Sequence, residues 1–497
     1  MTRQLRMSRR TFLKVSAGGV VALLGGGYLL RDLFLHDRNP SSTAADVIRG
    51  QRLPIPSLLT GTEIDGKQVY NLIMQPGSMA YVPGKRTATF AYNGNILGPT
   101  LLMHKGDEVH INVTNQLGEP TTTHWHGIHL PAIMDGGPHQ RIDHGNTWHA
   151  QYTIMNEEAT FWYHPHLENK TAEHVYHGLA GLLIVKDPQS ELDLPDQYGT
   201  DDIPLIIQDK ILDADGSLNY PGTRFGVKGD QFLVNGAITP VFDAPAQFVR
   251  FRLLNGSNAR IYNFGFSDDR QFHQIGTDGG LLERPVPLTR LRLSTGERAE
   301  ILVDFSGEEN SQVRLVSFSS ELDNINPFWH SNALDDSTFE IMTIDVKAAT
   351  AKPTTALPAS LGSINRLQES QAARTRSFEL DMGFVGAMKI NGQSMDMNRI
   401  DQTVKVNDTE IWEVTNKSEM PHPFHVHDIQ FLILTRDGAP PAANEAGWKD
   451  TVLVMPRETV RIIAHFSDFT DPDKPYMFHC HILEHEDAGM MGQFVVV

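Results

Sequence analysis

One cysteine, Cys480, stands in 497 residues, so no intramolecular disulfide is possible. Cations are also scarce: 42 Lys and Arg against 60 Asp and Glu leave a formal charge of −18. That balance excludes nucleic acid and anionic membrane surfaces as expected partners, since both recruit basic faces. Helical periodicity is found in few stretches. The apolar, Gly-rich run from Val15 to Leu30 is short for a membrane span. What remains is an ordinary soluble composition, 40% hydrophobic and 21% charged. The chain is too long for one core, and its length suggests about three domains.

The N-terminus reads as an address. Ser8-Arg9-Arg10-Thr11-Phe12-Leu13-Lys14 precedes the apolar run, and a twin arginine in that position resembles a Tat signal. Small residues at Ser42-Thr43-Ala44 are a candidate cleavage site. The expectation is export by the Tat machinery to the periplasm or another extracytoplasmic compartment, with residues 1–45 outside the fold.

From residue 46 onward, short runs alternate apolar and polar residues between Gly, Pro, Asn and Asp turns. Glu108–Val113, Gln247–Leu253 and Glu410–Val414 are examples. Period-two alternation of this kind predicts antiparallel strands, hence an all-β protein of sandwiches or barrels. A phrase also recurs: Lys105-Gly106-Asp107 through Asn115 resembles Val406-Asn407-Asp408 through Asn416, and Phe248 through Gly256 is a third version. Three copies of one β-sandwich follow. Breaks near Lys186-Asp187-Pro188 and in the Ala/Thr/Pro-rich stretch after Lys347 place the domains at 46–190, 191–348 and 373–497, with a linker over 349–372.

Of 22 His, ten fall in four compact groups: His124-Trp125-His126; His164-Pro165-His166; His422-Pro423-Phe424-His425-Val426-His427; and His479-Cys480-His481 with His485. Each group contains a His-x-His pair, and residues i and i+2 of a strand share a face. Eight paired imidazoles exceed what one metal takes and suit several ions of copper, zinc or iron. Cys480 points opposite to His479 and His481, so its thiolate serves a different metal. Two His, one Cys and a weak thioether make a blue-copper, electron-transfer site. His485, Met490 and His422 are available for it. A zinc hydrolase accounts for neither four pairs nor the thiolate between two of them.

These motifs resemble the multicopper oxidases, the family of laccases, ascorbate oxidase, bilirubin oxidase and bacterial copper-efflux oxidase. The resemblance implies three tandem cupredoxin-like Greek-key domains and four copper ions. The type 1 copper would take His422, Cys480, His485 and Met490, and the type 2 copper His124 and His425. The type 3 pair would take His126, His164 and His481, and His166, His427 and His479. The complete set speaks against a copper-free relative serving as a scaffold. Met134-Asp135-Gly136-Gly137-Pro138, His177–Gly181 and Leu483–Met491 are nearest in wording to the copper-efflux type. That type carries a Met-rich insertion in its third domain. Here Leu380-Asp381-Met382-Gly383 runs through Met388 to Met395 and Met397 with no such insertion, and thioethers are what select Cu(I).

The implied activity is oxidation of a reductant, one electron at a time, with O2 reduced to two water. Expected substrates are phenols or related small aromatics, with metal ions such as Cu(I), Fe(II) or Mn(II) as the alternative. The four protons need carboxylates, and Asp135 and Glu486 match family positions for proton delivery. His129, His139, His144, His149, His174 and His177 have no ligand role in the pattern, and the three from His139 to His149 read as solvated loop residues.

Overall fold

The computed structural model describes residues 47–223, 225–322, 333–382 and 387–497. The expected leader and Gly383 of the Met-bearing stretch lie outside them. The described chain is built from six sheets, two to a sandwich. Each sandwich encloses its own core: Tyr70, Ile111, Trp125 and Leu183 in the first, Ile203, Phe251, Phe264 and Ile344 in the second, Phe378, Trp412, Phe424 and Phe478 in the third.

The recurring phrase forms the same strand three times, at Glu108–Asn115, Phe248–Asn255 and Thr409–Asn416. Each copy lies between an antiparallel neighbour, at Thr147–Thr153, Arg298–Asp304 and Thr459–His465, and a parallel one, at Lys67–Met79, Asp202–Lys210 and Ala372–Met382. The antiparallel expectation is corrected here: the sheets are mixed. The parallel partner reaches the phrase strand through a crossover by way of the opposite sheet rather than a hairpin, and therefore enters parallel.

Each phrase ends on a fully buried Asn that closes the following turn in the same way. The Nδ2 of Asn115 donates to Glu119 O and Ile142 O, that of Asn255 to Arg260 O and Leu293 O, and that of Asn416 to Met420 O and Val454 O. Their Oδ1 atoms accept from the backbone N–H two residues on. A buried amide with three satisfied bonds fixes the turn and so the register of the strand beyond it. Those strands bear the histidines in the first and third sandwiches.

No strand interrupts the chain from residue 348 to 371. The segment is nonetheless pinned: Leu357 and Leu361 pack with Phe248, Leu282 and Leu302, while Ile364 and Leu367 pack with Ile411 and Ile463.

Candidate metal centres

Strand pairing brings the histidine motifs together two by two. His124 is opposite His164 across one ladder, and His425 opposite His479 across another. All ten motif histidines and Cys480 are buried. In the third sandwich Phe424 stands opposite Cys480, so Cys480 faces the core while His479 and His481 face outward.

The inward-facing set is His422, Cys480 and His485, the last on the short helix Leu483–Asp487. Cys480 Sγ lies 3.4 Å from His422 Nδ1 and 3.5 Å from His485 Nδ1, and the two nitrogens are 3.2 Å apart. Met490 is buried beside them, and its carbonyl accepts from Cys480 N at 3.0 Å. Burial pushes the Cys480 thiol up, so it ionises only beside a cation. Ser418 sets the tautomer of His422. Its one hydroxyl hydrogen goes to Asn416 Oδ1 or Met420 O, so at 2.8 Å it accepts from His422 Nε2–H. The lone pair of Nδ1 is thereby left facing Cys480.

Eight outward-facing imidazoles converge between the first and third sandwiches in overlapping sets: His126, His164 and His481; His166, His427 and His479; and His124, His425 and His427. Burial depresses His126, His164, His166, His425 and His479, and takes His427 to about 4 and His481 to about 3, so these seven are neutral. Backbone carbonyls hold the Nδ1–H groups of His124, His164 and His425, each at 2.8 Å. Their Nε2 atoms, and that of His126, are buried with no hydrogen-bond partner among the described residues. Each would cost about 1–3 kcal/mol if left so. His427 Nδ1 donates to Asp135 Oδ2 at 2.8 Å and His479 Nδ1 to Cys480 O at 3.1 Å, yet their Nε2 atoms face each other at 3.2 Å. Two opposed lone pairs at that distance repel unless a cation lies between them. The donor set fits copper.

Two carboxylates flank this cluster. Asp135 ends a short 3-10 turn, and its oxygens lie 2.8 Å from His427 Nδ1 and 3.3 Å from His124 Nδ1. Burial would raise its carboxyl, but the two imidazoles outweigh that and hold it below the carboxylate range. Glu486 is buried on the short helix, 3.2 Å from His166 Nδ1 and 3.3 Å from His479 Nδ1. Burial, reinforced by Asp487, raises it well above the usual range. The two acids are thus shifted in opposite directions.

Asp450, Arg298 and Ser418 escaped the sequence reading, and so did Trp162, whose ring stacks on His164 at 4.1 Å between centroids. Asp450 and Arg298 stand far along the chain from their histidines, and no motif marks Ser418 or Trp162, although they lie four residues before His422 and two before His164. His139, His144 and His149 are exposed and bond separately to Gln493, Gly118 N and Asn112. His149 sits on a strand rather than in a loop. His174 is buried against Thr121.

The chain is similar to known proteins. Two family models described as multicopper oxidase match residues 74–190 and 361–497. A multicopper oxidase of Staphylococcus aureus is 38% identical over 438 residues, 87% of this chain and 89% of that protein. The structure of a laccase-like multi-copper oxidase from Ochrobactrum sp. matches with a TM-score of 0.81 at 37% identity, over 90% of this chain and 100% of that one. A cell division protein FtsP of Photorhabdus laumondii is 35% identical over 497 residues, 99% of each chain. With the buried imidazole cluster and the Cys-His set described above, these likenesses place the chain in the multicopper oxidase family.

Proposed function

We propose that the protein couples four one-electron oxidations of a small aromatic reductant, laccase-like, to reduction of O2 to two water. The observation that carries this reading is the segment His479-Cys480-His481. Its middle residue belongs to one metal set and its flanking residues to two others, so a few covalent bonds join the sets.

Four copper ions are proposed. His422, Cys480, His485 and Met490 hold the type 1 ion, and His124 and His425 the type 2 ion. His126, His164 and His481 hold one type 3 ion, and His166, His427 and His479 the other. Bound copper would supply the one-electron chemistry that imidazole and thiolate lack. The chain's own residues do the rest. Burial excludes bulk water from both sets. Asp135 holds His427 through its Nδ1–H. Glu486, protonated beside His166 and His479, keeps a hydrogen at the cluster for delivery, and Asp135 is the ionised counterpart. The twin-arginine segment supports Tat export to an extracytoplasmic compartment.

The test is copper-loaded protein and a substrate panel. Absorption near about 600 nm with O2 uptake supports the oxidase. A dimethoxyphenol turned over without added copper supports the aromatic reading, and turnover only with added Cu(II) favours a Cu(I) metalloxidase. The full-length likeness to a cell division protein supports a second reading, a copper-binding envelope protein without turnover. Copper-loaded protein lacking O2 uptake with every reductant would establish it.

A further inference from the structure

The central sandwich supplies no histidine to the cluster, yet it reaches it. We propose that Arg298, from the central strand Arg298–Asp304, is a positioning residue: it fixes Asp450 and, through it, the tautomer and orientation of His126 and His425. The inference rests on the copper reading above.

Arg298 is fully buried where all three sandwiches meet. Its Nε donates to Thr160 O at 3.0 Å, in the first sandwich. Nη1 donates to Gly296 O at 3.0 Å and Asp450 Oδ1 at 2.8 Å. Nη2 donates to Asp278 O at 2.7 Å and Asp450 Oδ2 at 2.6 Å. Five N–H groups thus meet five acceptors, and the guanidinium has none left. The count has a consequence for His126, whose Nδ1 lies 3.3 Å from Nη1. With all five hydrogens of Arg298 already engaged, we assign the hydrogen at this contact to His126 Nδ1. The carboxylate nearest to take that hydrogen is Asp450 Oδ1, at 3.6 Å. His126 Nε2 is then a lone pair directed at the cluster.

Asp450 holds His425 as well: its carbonyl accepts from His425 Nδ1 at 2.8 Å, and its Oδ1 accepts from Thr451 Oγ1 at 2.9 Å. One bidentate ion pair therefore fixes a residue whose carboxylate faces His126 and whose main-chain carbonyl holds His425. The approach is close enough to demand glycine. A Cβ on Gly127, at φ +86°, would lie 2.3 Å from Asp450 Oδ2. The same central turn seats a third imidazole: Thr295 Oγ1 donates to His481 O at 2.6 Å, and a Cβ on Gly296 would press on the His481 ring at 2.8 Å.

Arg298→Lys keeps the charge but offers three donors from one point, which cannot span both carboxylate oxygens and three carbonyls. In copper-loaded protein the variant should keep its type 1 absorption. Its type 2 electron paramagnetic resonance signal should change, and its cluster should bind copper about 10–100-fold more weakly. Adding Asp450→Asn should cause little further loss, because Arg298 acts through Asp450. A variant with wild-type copper content and resonance signals overturns the proposal. If type 1 absorption disappears together with the cluster signals, the variant has misfolded. Nitrogen-15 histidine spectra of the copper-free, full-length wild type then decide: His126 protonated at Nδ1 supports the proposal, and protonation at Nε2 overturns it. Absence of a type 2 signal from the wild type itself would count against the copper reading instead, and the tautomer measurement would still judge Arg298.

Discussion

The central and third sandwiches enter the same strand from the same turn and use it differently. In the third, Asn416 closes the turn and Ser418 Oγ meets His422 at 2.8 Å; in the central one, Asn255 closes it and Ser257 Oγ meets the hydroxyl of Tyr262 at 2.9 Å. His422 stands six residues after Asn416, and Tyr262 seven after Asn255. Beyond them Phe424 and Val426 enter one core, Phe264 and Phe266 the other. Between those core residues, on the opposite face, the third sandwich places His425 and the central one Gly265. The turn and the core-facing positions are thus generic to the fold. Metal chemistry is added by the residue that starts the strand and by those on its far face. The central sandwich, lacking such residues, contributes an arginine instead.

The largest way to test this contrast is to remove what the central sandwich never had. Cys480→Ser should abolish absorption near about 600 nm and lower oxidase turnover at least about a hundredfold, measured on copper-supplied protein. Persistence of the band would refute the inward-facing site. Asp135→Asn comes next. Reoxidation by O2 should slow by about 10–100-fold while a reductant still bleaches the type 1 band rapidly, followed by stopped flow. Equal slowing of both half-reactions would sink the assignment. The two serines give the smaller and sharper pair. Ser418→Ala should shift the type 1 absorption, because His422 loses its tautomer-setting partner. Ser257→Ala should leave every spectrum unchanged and cost about 1 kcal/mol of stability, seen as a lower Tm. Identical behaviour of the two variants would erase the distinction.

Much of the site was legible along the chain because its grammar is local. A His-x-His pair on a strand must show both rings on one face, and a Cys between two His must turn the other way. The recurring phrase announced three sandwiches for a similar reason, since strand alternation and a terminal Asn are short-range features. The parallel partner of each phrase strand was not legible, because crossovers depend on which sheet the intervening chain joins. Asp450 and Arg298 were invisible too. Nothing around Trp448-Lys449-Asp450 marks a carboxylate that holds two imidazoles, and Arg298 reads as a polar residue on an ordinary strand.

By itself, then, the sequence determined the β architecture, the histidine pairs and the opposite facing of Cys480, because alternation is a local property of the backbone, although His166, His427 and His481 fall just past the ends of their strands. Which imidazoles share a set was implied by the family resemblance alone, and the tertiary structure brings those sets together. His126 joins His164 and His481, and His166 joins His427 and His479, through contacts between sandwiches hundreds of residues apart. The tertiary structure alone decided the opposite shifts of the two flanking acids and the service of the central sandwich. Burial and long-range ion pairing set those, and neither is written in any local run of residues.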